Sequence, residues 1–168
     1  MNVNYFVTRH CGTGIHEFRF YRGTERIGSA AVWMLGQWDV TLRCPGGMLR
    51  FSHDPQMTIF SGCNRAVEDA DSGEEYARVY WDGRGRHRIV TPFGSIQVEY
   101  REGVYAFGRE ERCFAALCCV QKGSLMDQTQ RDFRDPEWEL RMGMMTQDAL
   151  PDDLAVLLMS FPLLQLSV

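Results

Sequence analysis

Apolar and polar positions alternate with a period of two along most of this chain, and the pattern changes once, near its end. Ile15 to Arg22 places Ile15, Glu17, Arg19 and Tyr21 on one side and His16, Phe18, Phe20 and Arg22 on the other, the repeat of a half-buried strand. Asn4–His10, Arg26–Leu35, Gln37–Arg43, Met48–Ser52 and Gln56–Ser61 are read as strands too, with Trp38, Val40 and Leu42 sharing one face. Turn-forming stretches separate them, among them Cys11–Gly14, Gly23-Thr24, Pro45-Gly46-Gly47 and His53-Asp54-Pro55. Gly28, inside the third run, marks a bend or bulge.

Asn64 to Glu75 is the most polar stretch, with Glu68, Asp69, Asp71, Glu74 and Glu75, and reads as a solvated loop. Strand patterns resume at Tyr76–Trp81, Arg86–Thr91, Ser95–Arg101, Val104–Phe107 and Arg112–Gln121, broken by Asp82-Gly83, Pro92-Phe93-Gly94, Glu102-Gly103 and Gly108-Arg109-Glu110. Short strands at even spacing are the mark of a meander. Gly123–Pro136 is a polar excursion, and Trp138–Met145 is a last strand, bringing the count to about twelve.

Pro151 to Val168 differs from everything before it. From Leu154 onward only Ser160, Pro162, Gln165 and Ser167 are not apolar, so a helix over 151–168 has no solvent face. Such a helix must be buried in protein or lipid. A membrane span needs about 20 apolar residues, more than this run offers. Asp152 and Asp153 suit the positive end of the helix dipole, and Pro151 suits the first turn. The expected fold is a single domain over residues 1–168: a mainly β, closed, mainly antiparallel barrel of about twelve strands around a hydrophobic C-terminal helix. The alternative is a calycin-like barrel with the helix packed outside and a ligand cavity within.

Composition narrows function by exclusion. A net charge of -4 and 45% apolar residues describe an ordinary globular chain with no global field for nucleic acid. Lys122 is the only lysine among 18 basic residues. The six cysteines form no C-x-x-C pair, which argues for reduced thiols and a cytoplasmic setting. Met1 to Arg9 has neither the basic nor the apolar region of a secretory signal.

Three segments together suggest a family: the Phe18–Gly28 hairpin (FRFYRGTERIG), the Tyr76–Gln121 meander, and Asp153–Val168. Strands followed by one apolar terminal helix, over nearly the whole chain, resemble the tubby C-terminal-domain-like superfamily. That superfamily also includes LURP-one-related proteins, phospholipid scramblases and small bacterial relatives. The resemblance implies a closed twelve-stranded barrel around a central helix. It also implies a binding role near membranes, because tubby proteins hold phosphoinositide headgroups with basic residues outside the barrel. No headgroup signature carries over residue by residue.

Arg84, Arg86 and Arg88 alternate, so in a strand they share a face and form a candidate anion site. Paired with nearby carboxylates, the same residues are simply a solvated edge. His87 points the other way and reads as a packing residue. Asp69-x-Asp71 opens like a calcium loop but lacks the glycine at its sixth position. Glu137, Glu139 and Arg141 are similar to the E-x-E-x-K pattern of triphosphate-tunnel enzymes, although that motif lies near the N-terminus there. The expectation is a non-enzymatic cytoplasmic module, peripheral at the membrane, for an anionic phospholipid surface or a protein partner. It has no catalytic or metal residues and no cofactor. A small-molecule carrier and a metal-dependent phosphate-handling enzyme are the alternatives.

Overall fold

Alternation of side chains becomes alternation of burial, and each described strand pairs antiparallel with the next described strand. The structure is a computed structural model that describes residues 2–11, 15–33, 39–51, 65–83, 86–119 and 142–162. The strands are β1 (Val3–Cys11), β2 (Ile15–Arg22), β3 (Glu25–Trp33), β4 (Asp39–Cys44), β5 (Gly47–Phe51) and β6 (Arg65–Asp69). They continue with β7 (Glu75–Gly83), β8 (Arg86–Thr91), β9 (Gly94–Arg101), β10 (Val104–Arg109), β11 (Arg112–Cys119) and β12 (Met142–Thr146). β12 returns to β1, with Val3 opposite Thr146 and Val7 opposite Met142, and closes a twelve-stranded barrel. Closure leaves none of these strands with an unpaired edge.

Most expected strands are found within a few residues of their limits. Two regions differ. Arg65–Asp69, expected in a solvated loop, is β6: Val67 is buried inside the barrel while Glu68 and Asp69 are only partly covered. One inward valine among acids is too short a pattern to stand out in the sequence. Asp82-Gly83, expected in a turn, ends β7, with a register shift between Trp81 and Gly83. The expected Gln56–Ser61 strand and the 123–136 excursion lie outside the described residues. The anticipated irregularity at Gly28 is present. Phe20 faces Gly28 and Tyr21 faces Arg26, so Ile27 is the extra residue of a bulge.

The helix, α1 (Asp152–Met159), runs inside the barrel rather than outside it. Leu154 to Met159 and Phe161 are all 1% exposed or less. Val156 meets β3 at Gly28. Phe161, just past the helix, has its ring 5.3 Å from that of His87, 5.6 Å from Tyr105 and 6.2 Å from Phe107. These partners on β8 and β10 flank β9, which stands across the ring from β3, so the segment bridges opposite walls. The calycin-like alternative, with its helix outside, is therefore not the architecture. Residues 163–168 lie outside the described set.

Polar groups hold the helix at the mouth where it enters. Arg22 Nη1 donates to Asp152 Oδ1 at 2.6 Å, and the Gly46 N–H donates to Asp153 Oδ1 at 3.0 Å. The Leu150 N–H donates to the Tyr5 hydroxyl at 3.0 Å. Pro151 is the N-cap and not the first helical residue; its carbonyl accepts the Ala155 N–H at 2.9 Å. The two aspartates thus complement the dipole and also fix the helix to the β4–β5 turn and β2.

Gly28 sets how close α1 can lie to the wall. A Cβ there would stand 2.6 Å from the Arg43 carbonyl oxygen and 2.7 Å from Val156 Cγ2. Overpacking of this kind costs about 1–3 kcal/mol. Gly28→Ala should therefore lower Tm by several degrees in thermal unfolding. Gly143→Ala, where the nearest atom is 4.0 Å away, should change it little.

Candidate functional site

With α1 in the lumen, the outer wall and the two mouths are the surfaces open to a ligand. Along β8 the exposed residues are Arg86, Arg88 and Val90, while Ile89 and Thr91 are buried. Arg86 and Arg88 therefore share the outer face, as the alternation predicts. Arg84 lies outside the described residues. Register places Arg86 opposite Glu99, and Arg88 opposite Gln97 on one side and Tyr80 on the other. The Arg88 guanidinium carbon is 4.8 Å from the centre of the Tyr80 ring, a cation–π arrangement that holds the charge in place while leaving its hydrogen-bond donors available. His87 faces inward against Phe161, in keeping with a packing role.

Beyond Gln97 and Glu99 the wall dips. Ala106 stands opposite Glu99 and Gly108 opposite Gln97, and the lack of bulk there opens a groove of about 430 Å³. Arg86 stands at one side of it and Arg112 and Cys113 at the other. Sequence reasoning found Arg86 and Arg88 but missed Gln97, Glu99 and Arg112. The strand register could have supplied Gln97 and Glu99, because the short hairpin after Thr91 fixes which β9 residues face β8; Arg112, on β11, lies two strands further on.

The mouth opposite the point of helix entrance holds a second group the sequence reading missed. Arg9 and His16 are each 1% exposed and Arg65 is 8% exposed. Arg9 and His16 are diagonal neighbours on the inner face of β1 and β2. Burial, reinforced by the Arg9 charge, holds the His16 pKa below its usual 6.5. Each of these three side chains is engaged by neighbours. Their positions fit the period-two pattern, so burial of this strand end was the missing information.

The other sequence candidates resolve differently. Asp69 Oδ1 accepts the N–H groups of Asp71 and Ser72, each at 2.9 Å, which closes the turn after β6 and lowers its pKa. It acts as a turn residue there. Among the described residues no group of three or more His, Cys, Asp or Glu side chains could hold a metal ion. Glu137, Glu139 and Arg141 lie outside the described residues, as do the side chains of all four tryptophans. No described helix is long and apolar enough to cross a membrane. Comparison with protein-family models, with curated proteins and with solved structures finds no match to this chain.

Cysteine chemistry follows burial. Cys44 is buried near Asp153, and its thiol pKa is pushed up to about 12 by desolvation first and that carboxylate second. Cys113 and Cys118 are exposed. Iodoacetamide should label Cys113 and Cys118 in the native protein and reach Cys44 only on unfolding, as read by peptide mass mapping.

His16 gives the pH dependence a sign. The unfolded chain takes up this proton near pH 6.5, whereas the folded protein resists it. Its contribution to stability is level above that pH and declines as the pH falls below it. Denaturant unfolding at about pH 7.5 and about pH 5.5 should show a smaller loss on acidification for His16→Gln than for the wild type.

Proposed function

We propose that this chain is a non-enzymatic binding module whose outer wall around Arg86 and Arg88 meets the headgroups of an anionic phospholipid surface. The observation that carries the reading is this pair of exposed guanidiniums, side by side on a barrel filled by its own helix. With α1 in the lumen, binding falls to the exterior, and two arginines on one face can share a phosphate. Glu99 opposite Arg86 tempers the local charge, so the contact is weak and salt-sensitive. Kinship with the tubby C-terminal-domain-like superfamily is part of the same proposal. It is supported by twelve strands closing around a terminal apolar helix. A cytoplasmic setting suits the three free cysteines among the described residues.

A protein partner is the second reading. Phe6 and Met145 are 47% and 56% exposed on adjoining strands β1 and β12, and an exposed apolar pair is more at home against protein than against water.

Co-sedimentation with neutral and anionic vesicles at low and high salt tests the lipid reading. Binding should be confined to anionic vesicles and lost at high salt. Arg86→Ala/Arg88→Ala should weaken it roughly ten- to thirtyfold, at about 1 kcal/mol per basic residue near the surface. Salt-resistant binding to neutral vesicles would overturn it in favour of apolar insertion into lipid, and no binding to either would overturn it in favour of the protein partner.

A further inference from the structure

The β10–β11 hairpin carries two features that folding alone does not call for. Its tip is formed by Glu110 and Glu111, both in the left-handed region at φ +48° and +65°. That conformation suits Asn-Gly and is strained for two glutamates. Immediately behind the tip, Arg109 and Arg112 face each other across the ladder, and like charges directly opposed on a sheet are destabilising. Each guanidinium is held by neutral groups. Arg109 Nη2 donates to the Phe93 carbonyl at 2.9 Å, with Cζ lying 5.2 Å from the Phe114 ring centre. Arg112 Nη2 donates to Gln147 Oε1 at 3.3 Å. Among the described residues neither arginine is ion-paired with a carboxylate.

Both arginines line a cleft of about 620 Å³ at the mouth where α1 enters. Phe93, Phe114, Leu150 and Leu154 form its apolar portion, and Leu154 is 1% exposed. The cleft falls within the size range of small-molecule sites, about 300–1,000 Å³. Glu110 and Asp148 also line it. The four charged side chains of the lining sum to zero, so the site tolerates one negative charge and disfavours several.

We infer that this cleft binds a monoanionic carboxylate with a compact apolar body. The carboxylate sits between Arg109 and Arg112, and the body lies over Phe93, Phe114 and Leu150. Such a ligand relieves the repulsion between the opposed arginines and covers apolar surface in one event. This site is separate from the Arg86/Arg88 face and goes beyond the lipid-surface reading.

Titration calorimetry of the full chain with 2-naphthoate and its neutral isostere 2-naphthamide tests the inference. The acid should bind saturably at one site, and the amide at least about tenfold more weakly, the loss expected for a charge-assisted hydrogen bond. Inorganic phosphate should not displace the acid. Arg109→Gln/Arg112→Gln should abolish the preference for acid over amide, whereas Arg109→Lys/Arg112→Lys should retain part of it. Arg86→Ala/Arg88→Ala should bind 2-naphthoate as the wild type does, which keeps failure of this site distinct from failure of the lipid reading. Equal affinity for acid and amide, displacement by phosphate, an unchanged preference in the Gln variant, or no saturable binding would each overturn the inference. The acid–amide comparison on wild-type protein decides the matter even if a variant does not fold.

Discussion

A twelve-stranded ring is too wide for its own inward side chains to fill, and a helix with no polar face cannot remain in water. Each problem solves the other. Val156 against the bare backbone of Gly28 marks where the fit is tightest. Phe161 against His87, Tyr105 and Phe107 continues the contact to the opposite wall. Asp152 and Asp153 add position to this apolar contact, since Arg22 and the Gly46 N–H fix how far the helix enters. The barrel's diameter and the helix's composition are therefore one constraint seen from two sides.

That constraint also decides where chemistry is located. Inward positions are committed to packing against α1, so most charged side chains lie on the outer wall or at the mouths. Among the described residues Arg9, His16 and Arg65 are the buried ones, gathered at the mouth opposite the helix entrance. On the outside, small residues act as much as large ones do: Ala106 and Gly108 create the groove beside Arg86 by what they lack. The β10–β11 hairpin stands between that groove and the cleft at the helix mouth, and Arg112 borders both.

Strand alternation and a uniformly apolar terminal helix made the fold legible, because both are local patterns with a single global solution. β2 and β8 have the limits expected from sequence. β6 was hidden because Val67 is its one large apolar residue, set between Arg65 and the acids Glu68 and Asp69. The candidate site was half legible. Alternation put Arg86 and Arg88 on one face, but it carries no information about what stands opposite across the ladder. Glu99, Gln97 and the Arg109–Arg112 pair emerge only from register, and the cleft only from the way α1 enters.

Because each described strand pairs with the next except at one seam, most strand pairings join segments close in sequence. The β1–β12 pairing joins the two ends of the meander, and the helix that fills the ring follows all twelve strands in the chain. A nascent chain that has reached the strands but not α1 therefore has nothing to cover the apolar inner face of its sheet. Such intermediates are prone to aggregate. The same topology that leaves the finished barrel without an edge concentrates its vulnerability in the interval before closure.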